Sequence, residues 1–141
     1  MFKLAKIEGS GTNQPSPVRL KTREGVEYVS GGAYRLADGE LANIDETMLP
    51  THIVIENLKP DSADTVLCYR VQDNMIFEVP TYANPSNYFA GIRYAIATSS
   101  VGAGIGIGKN NANGVIMVDD VNGAKKIGDT IYVRITTEEN Y

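Results

Sequence analysis

The stretch that decides the fold is Arg93-Tyr94-Ala95-Ile96-Ala97-Thr98, a short, mostly apolar run that opens the last third of the chain. Two further runs of the same kind follow at residues 115–118 and 131–135, and Gly128-Asp129 introduces the last of them. Short apolar runs separated by glycine- and asparagine-rich turns are typical of β-strands joined by tight connections. This third of the chain therefore predicts a β-domain.

Comparable runs occur outward from this stretch along the rest of the chain. Residues 18–22 alternate apolar and basic side chains, which is the period of a half-buried strand. Further strand-like runs lie at residues 26–29, 34–36, 51–56, 65–71 and 75–79. Residues 72–74 predict a hairpin loop between the last two runs. Residues 41–49 are ambiguous, because residues 45–49 also fit one helical turn before Pro50.

These patterns predict an all-β fold, a single-domain antiparallel β-barrel or sandwich of about eight to nine short strands with little helix. Residues 18–136 form the predicted β-domain, and we detect no exact internal repeat. Residues 1–17 comprise an N-terminal segment and a linker rich in glycine and proline, and residues 137–141 form a polar tail. The N-terminal segment is either a strand added at a sheet edge or an arm, and as an arm we expect it to be mobile.

Composition and charge make binding to nucleic acid and insertion into a membrane poor first hypotheses for this chain. The 141 residues carry a formal net charge of −4, and the basic residues are scattered, so nucleic acid is a poor candidate partner. No window approaches the ~20 apolar residues that span a bilayer, so we predict no membrane partner. The first eight residues do not resemble a secretory signal, which predicts synthesis in a cytoplasm.

The sequence contains little of the chemistry that an enzyme needs. It has one histidine, one cysteine and no tryptophan. Cys68 lies in an apolar run and is predicted to be buried, and His52 is predicted to lie on the surface or to form hydrogen bonds. Residues 102–108 alternate glycine with alanine or isoleucine, but the spacing fits neither a phosphate loop nor a dinucleotide fingerprint. The alternation instead predicts a flexible strand or bulged ribbon whose apolar side faces inward. We therefore predict no enzymatic activity, no catalytic residue, no metal site and no cofactor.

The loop at residues 80–91 is the most suggestive segment for binding. It contains three aromatic residues and two prolines, and tyrosine and asparagine are common in adaptable contact surfaces. Tyr82, Asn84, Tyr88 and Phe89 are therefore candidate contact residues. The alternative is that Tyr82 and Phe89 cap the end of a barrel, and the sequence leaves both interpretations open.

The order of motifs resembles that of the small decoration, or cement, proteins of tailed bacteriophage capsids. The resemblance rests on residues 17–22, on residues 71–80 with Glu78-Val79-Pro80, and on residues 124–135 with Gly128-Asp129. The glycine-rich residues 102–108 have no counterpart in that family. Proteins of this family are β-rich virion components that lie on the outer surface of the phage head, clamp neighbouring subunits and have no catalytic residues.

The resemblance implies a structural virion protein that stabilises a capsid by bridging major capsid subunits. It also implies the outer capsid surface as the location, after synthesis in the host cytoplasm. Phe2, Lys3, Leu4 and Lys6 of the N-terminal segment are then further candidates for the capsid contact. A β-rich tail, baseplate or glycan-binding module is the alternative, and a hydrolytic accessory enzyme is the third. Oligomeric state stays open.

Overall fold

The strands identified in the sequence combine into a fold that is almost entirely β, as predicted. The structure is a computed structural model and describes residues 1–9 and 14–136. Within them lie eleven strands: β1 (Lys3–Ile7), β2 (Val18–Thr22), β3 (Ala33–Ala37), β4 (Glu40–Ala42), β5 (His52–Val54), β6 (Thr65–Arg70), β7 (Met75–Pro80), β8 (Arg93–Thr98), β9 (Gly104–Asn110), β10 (Ile116–Asp120) and β11 (Thr130–Ile135). A short 3-10 helix covers Pro85–Asn87.

Several expectations about single segments need correction. Residues 26–29 do not form a strand, since only Tyr28 makes an isolated bridge, to Leu58. Residues 45–49 form turns rather than a helical turn. The count of strands exceeds the expected eight to nine because residues 3–7, 40–42 and 104–110 are also strands. Part of the predicted linker, residues 10–13, and the predicted polar tail, residues 137–141, lie outside the described residues.

The first half of the chain closes into a five-stranded barrel. Strand β3 pairs with β4 and β5, and β6 pairs with β5 and β2, all antiparallel. The ring closes where β2 runs parallel to β4, with Thr22 opposite Leu41. We call strands β2–β6 the first barrel.

The second half of the chain repeats this arrangement strand for strand. Strand β8 pairs with β9 and β10, and β11 pairs with β10 and β7, all antiparallel. The ring closes where Thr81 forms a parallel bridge to Ile107. We call strands β7–β11 the second barrel. The second barrel therefore duplicates the first, and we did not detect this repeat in the sequence.

The register of the strands agrees between the barrels as well as their order. Val54 stands opposite Cys68 in the first barrel, and Val118 stands opposite Val133 in the second. In the first barrel the Val71 N–H donates to the Thr51 carbonyl oxygen, and in the second the Thr136 N–H donates to the Val115 carbonyl oxygen. Both hydrogen bonds are 2.8 Å long. Equivalent residues are therefore separated by about 60 positions at β3 and β8 and by 65 at β6 and β11.

A pair of tyrosines marks the same place in each barrel. In the first barrel the Tyr34 hydroxyl donates to the Glu27 carbonyl oxygen, at 2.9 Å, and accepts from the Val29 N–H, at 3.0 Å. The ring of Tyr34 packs against Tyr28 with centroids 5.1 Å apart. These contacts tie the segment that enters β3 to the interior of the barrel.

The second barrel has the same contacts sixty residues later. The Tyr94 hydroxyl donates to the Asn87 carbonyl oxygen, at 3.0 Å, and accepts from the Phe89 N–H, at 2.8 Å. Its ring packs against Tyr88 with centroids 4.8 Å apart. Three residues before each of Tyr34 and Tyr94 lies a glycine in a turn, Gly31 and Gly91. Their φ angles are 83° and 81°, so both turns use the left-handed region that glycine favours.

Each barrel has its own hydrophobic core, and the second core extends into the junction between the barrels. The first core includes the buried side chains of Tyr28, Leu41 and Cys68. The second core includes Phe77, together with Ile53 from the outside of the first barrel. The strand residues of both cores alternate along each strand, as expected for barrels that are filled by side chains, and Tyr28 and Tyr88 join the cores from outside the strands.

The glycine-rich stretch forms a strand with an irregular register, as its alternation predicts, and this strand joins the two barrels. Strand β9 pairs with β8 along most of its length, and its first residue, Gly104, pairs with Ala33 of β3. Ala103, just before β9, is fully buried in the first core, whereas Ile107 is fully buried in the second. Small residues at this crossing allow the backbones to approach closely.

The N-terminal segment belongs to the folded body, as the first of the two alternatives expected. Strand β1 pairs antiparallel with β7, and the Phe2 ring packs in the second core. The Phe2 N–H donates to the Gly31 carbonyl oxygen of the first barrel, at 2.8 Å. The expectation of a free, mobile arm is therefore corrected: β1 is an edge strand on the second barrel, and Phe2 before it contacts both barrels.

The loop at residues 72–74 does not close a hairpin, contrary to expectation. Strand β6 pairs with β2 and β5, whereas β7 pairs with β1 and β11, in the residues that the structure describes. Strands adjacent in sequence belong here to different barrels, because residues 71–75 form the junction between the two copies of the repeat.

Candidate contact face on the second barrel

Exposed apolar side chains gather near the loop at residues 80–91. Tyr82 is 49% exposed, Phe89 61%, Ile92 43% and Ile127 65%. The Ile92 N–H donates to the Phe89 carbonyl oxygen, so these two side chains flank one turn. The Gly128 N–H donates to the Thr81 carbonyl oxygen, at 3.0 Å, which brings Ile127 to the segment that holds Tyr82. We call Tyr82, Phe89, Ile92 and Ile127 the contact face.

The first barrel does not expose apolar side chains at the equivalent positions. The register places Arg23 at the position of Tyr82 and Ser62 at that of Ile127. Val29, the equivalent of Phe89, is partly buried against the first core. Since the two barrels share one fold, folding alone does not require large apolar groups at these positions of the second barrel. The contact face is therefore a specific property of the second copy.

Tyr82 is held by a packing arrangement that replaces an ion pair in the first barrel. A Cβ at Gly106 would lie 2.8 Å from Cε2 of the Tyr82 ring, so the absence of a side chain there makes room for the ring. The residues equivalent to Tyr82 and Gly106 are Arg23 and Glu40, whose side chains form an ion pair at 3.3 Å. The ring is thus positioned by β9 while half of its surface remains exposed.

The other two candidates from this loop have structural roles. The Asn84 side chain accepts from the Ser86 N–H, at 3.1 Å, and caps the 3-10 helix, although Asn84 itself is exposed. Tyr88 is only 3% exposed, and its hydroxyl donates to the Gly108 carbonyl oxygen, at 2.8 Å. Burial raises the pKa of the Tyr88 phenol. The structure therefore places Tyr82 and Phe89 at the surface and Tyr88 inside the barrel.

The candidate contact residues of the N-terminal segment also divide into buried and exposed side chains. Phe2 is 3% exposed and packs edge to face on Phe77, and Leu4 is partly buried against the same core. Lys3 and Lys6 are exposed, and the Lys3 ammonium lies 3.8 Å from a Glu78 carboxylate oxygen. The apolar side chains of this segment thus stabilise the fold, and its two lysines remain at the surface.

Both strand edges that carry unpaired backbone have features that discourage strand addition. Strand β1 carries Lys3 and Lys6 and has an irregular register between Leu4 and Lys6. The first half of β2 has no partner on its second side among the described residues; it follows Pro17 directly and carries Arg19. Charged residues, proline and bulges protect edges from pairing with other chains. A partner is therefore better accommodated on a face than on an edge.

A groove opens next to the contact face. It has a volume of about 350 Å³, and its lining includes Asn87, Phe89, Lys109 and Asn110. The Tyr88 and Tyr94 rings form its floor toward the core. Sequence reasoning missed the groove, Ile92 and Ile127, because they depend on which loops meet at one end of the barrel. A comparison of Tyr28–Tyr34 with Tyr88–Tyr94 is the signal that reveals the repeat.

The residues with reactive side chains are engaged in packing. Cys68 is fully buried, as predicted, and burial raises the pKa of its thiol to about 11. His52 is only 4% exposed rather than on the surface, and its Nδ1 lies 2.8 Å from the Thr51 hydroxyl. Burial and the nearby Arg70 lower the pKa of the His52 imidazole to about 4.

Residues 1–9 and 14–136 bring together no group of three or more side chains that fits a metal ion. The helical part of these residues is too short to cross a membrane.

No family model, curated protein or solved structure matches this chain. The contact face, the groove and the internal duplication are therefore the features from which a function is inferred.

Proposed function

We propose that this chain is a structural virion protein that decorates the outer surface of a tailed-phage capsid and stabilises it by bridging major capsid subunits. The contact face on the second barrel is the observation that supports this proposal. Four large apolar side chains, between 43% and 65% exposed, lie around one end of a barrel whose duplicate lacks them. Exposed apolar groups of this kind are typical of protein–protein contact surfaces.

The chemistry of the contact face favours a protein partner. Aromatic residues are enriched at the centre of protein interfaces, where they bury a large area for little loss of conformational entropy. The Tyr82 ring is already held against Gly106, so less freedom is lost when it is covered. The acidic balance of the chain, with its formal net charge of −4, disfavours nucleic acid as the surface that is covered.

The duplicated fold also suits a role in stabilising a large assembly. The two barrels are joined by β1, by β9 and by a shared core, so they act as one rigid body rather than as modules on a flexible linker. A rigid protein that binds two subunits restricts their relative motion, and the protein itself loses little conformational entropy on binding.

Co-sedimentation with empty heads of the virus that encodes this chain tests the proposal. We expect the wild-type protein to sediment with the heads and the double variant Tyr82→Glu/Phe89→Glu to remain in the supernatant. Met48→Glu is the matched control, because Met48 is a 41% exposed apolar residue of the first barrel that does not belong to the contact face. If the wild-type protein does not sediment with the heads, decoration of the capsid is wrong.

The exposed rings of Tyr82 and Phe89 also favour a second candidate, a glycan-binding module, since exposed aromatic faces can stack on sugars. Exposed Asn84 adds an amide next to this surface. A glycan array distinguishes the two candidates. A saturable signal that is lost in Tyr82→Ala, together with no sedimentation with heads, would favour the glycan-binding module.

A further inference from the structure

A cavity of about 470 Å³ lies where the connection between β8 and β9 meets the first barrel. Residues 98–102 form one part of its lining, and the Ile44 N–H donates to the Gly102 carbonyl oxygen, at 2.7 Å, which holds this part against the first barrel. The segment between β2 and β3, the segment after β4 and Pro60 supply the rest. Ligand sites commonly have volumes of about 300–1,000 Å³. We call this space the junction cavity.

The lining of the junction cavity is polar, and its charged side chains are all acidic. Glu27 and Asp45 supply carboxylates, Asn43 supplies an amide, and Ser99 and Ser100 supply hydroxyls. Among the described residues, no lysine, arginine or histidine belongs to the lining. Each of these five side chains has an oxygen that can accept a hydrogen bond. The cavity therefore favours a ligand that is a cation with several N–H donors.

The carboxylate of Glu27 has no partner within residues 1–9 and 14–136. It is partly buried, and it makes neither a hydrogen bond nor an ion pair there. The fold does not require a charge at this position, because Tyr34 donates only to the Glu27 backbone carbonyl oxygen. In the second barrel Tyr94 makes the same bond to Asn87, whose side chain is neutral. A bound cation would compensate the Glu27 charge for its partial loss of water.

Charges beside the junction cavity leave it with an excess of negative charge. The Asp61 carboxylate accepts from the N–H of the lining residue Gly25, at 3.0 Å. Arg23 lies near Gly25 in the sequence, but its guanidinium is already paired with Glu40, at 3.3 Å. Lys59, next to the lining residue Pro60, is a single exposed cation beside three carboxylates.

We propose that the junction cavity binds the guanidinium group of an arginine side chain that a partner protein presents. The described part of the chain has no group of three side chains that fits a metal ion, so an organic cation is the better candidate. A guanidinium is planar, has five N–H donors in fixed directions and is less strongly hydrated than an ammonium group. It can therefore bond to acceptors on both the first barrel and the β8–β9 connection. Because the cavity is open to solvent, the partner protein would cover the part of the side chain that this chain leaves exposed.

A small probe, Nα-acetyl-arginine amide, tests the site in the intact protein. We expect saturable NMR shifts at Glu27, Asn43 and Ser100 when the probe is added. The citrulline analogue has nearly the same shape without the charge, and it should bind about five-fold more weakly, since hydrogen bonds to charged groups are stronger. Equal binding of the two probes, or shifts that do not saturate, would overturn the proposal.

Two variants locate the binding. Glu27→Gln should weaken binding of the arginine probe by about two- to five-fold, as expected for an ion pair that water can reach. Glu24→Gln is the matched control, because it removes the same charge from an exposed residue that does not line the cavity, and its effect should be smaller. Equal effects would show attraction to the general negative charge and no specific site.

Ser100→Trp should abolish the shifts, because the indole fills the cavity without changing the charge. Ser100 is exposed, so we expect this variant to fold. Shifts that survive the substitution would place the probe elsewhere and overturn the proposal.

Two other occupants are outcomes of the same experiments. A Gly-Ser-Arg-Ser-Gly peptide should bind at least as tightly as the amide probe. If the amide binds and the peptide does not, a small free guanidinium compound is the ligand, and the partner protein is refuted. A saturable response to a saccharide that Ser100→Trp abolishes, with no response to arginine, would also overturn the proposal.

The inference does not depend on the proposed function, because the junction cavity shares no residue with the contact face. The double variant Tyr82→Glu/Phe89→Glu should therefore bind the arginine probe as the wild type does, and loss of probe binding there would contradict a separate site. A wild-type protein that binds the probe but not heads would keep this inference and refute capsid decoration. One that binds heads but not the probe would do the reverse.

Discussion

The ring of Phe2 packs edge to face on the ring of Phe77, with the centroids 5.7 Å apart and the planes at 83°. This pair joins the first strand to a strand that begins more than seventy residues later. Val18 occupies the equivalent position of Phe77 in the first barrel. No strand among residues 1–9 and 14–136 takes the place of β1 there, and Val18 is 42% exposed. The Phe2–Phe77 contact is thus a specific addition to the second barrel, and it makes the N-terminal segment part of the core.

Phe2→Ala should therefore destabilise the fold by about 3–5 kcal/mol, the range for removing a buried aromatic side chain. Urea unfolding followed by circular dichroism measures the change. Lys3→Ala is the control, because the Lys3 side chain is 80% exposed, and we expect its effect to stay within about 0.5 kcal/mol. Equal effects of the two substitutions would show that β1 does not stabilise the fold.

Tyr34→Phe and Tyr94→Phe should have similar costs, because each hydroxyl bridges the same two backbone groups in its own barrel. Removing a hydroxyl leaves a carbonyl and an N–H without their partner, which costs about 1–3 kcal/mol. The double variant should lose the sum of the two, since the sites belong to separate cores. Unfolding free energies of the three variants check this, and a cost for only one barrel would contradict the structural equivalence.

Cys68→Val should leave stability within about 1.5 kcal/mol of the wild type, because Val133 occupies the equivalent position of the second barrel. Cys68→Asp should be strongly destabilising, since it introduces a carboxylate into a fully buried site. The native thiol should also react slowly with a thiol reagent at pH 7, because burial raises its pKa to about 11. Labelling as fast as that of a free cysteine peptide would contradict this arrangement.

His52 should make the fold less stable as the pH falls from about 6.5 to about 4. Burial lowers the pKa of the folded imidazole from 6.5 to about 4, so in this range the unfolded chain binds a proton that the folded chain does not. The stabilisation is complete above pH 6.5, and at most about 3 kcal/mol is lost by pH 4. His52→Gln should remove this part of the pH dependence. Unfolding free energies of both proteins at pH 4 to 7 provide the measurement, and identical pH profiles would contradict it.

Gly106→Ala should destabilise the second barrel by about 1–3 kcal/mol, the usual cost of overpacking. The added Cβ would lie 2.8 Å from both the Tyr82 ring and the Pro80 carbonyl oxygen. Adding Tyr82→Ala should recover part of this loss but not all of it, because the clash with Pro80 remains. Urea unfolding of the single and double variants measures the recovery, and full recovery would show that the backbone clash is relieved at no cost.

Local sequence patterns were sufficient to predict the all-β fold class, but they did not reveal the internal duplication. Residues 18–22, 65–71 and 131–136 carry strand signals that depend only on neighbours in sequence. The repeat is preserved in a few contacts, such as the Tyr34 and Tyr94 hydrogen bonds, while most core positions have changed. Leu41 and Ile107, or Cys68 and Val133, fill equivalent space with different side chains, so direct comparison of the sequence halves showed no exact repeat.

Some of the candidate contact residues are exposed, and others are buried because of packing that local composition does not indicate. Tyr82 and Phe89 are exposed, but Tyr88, which lies between them in sequence, enters the core because its hydroxyl reaches the Gly108 carbonyl oxygen. Phe2 belongs to a segment whose sequence fits an arm as well as a strand, yet packing on Phe77 buries it. Neither difference can be read from the neighbours of these residues in the chain.

The sequence by itself determined the β-strand content, the tight turns and the burial of Cys68, because periodicity, glycine placement and local hydrophobicity act over a few residues. Tertiary structure alone decided that β6 and β7 belong to different barrels and that the glycine-rich β9 joins these barrels. Strand pairing depends on long-range register, and many registers are compatible with the same local pattern. Only the simultaneous packing of both cores selects among them.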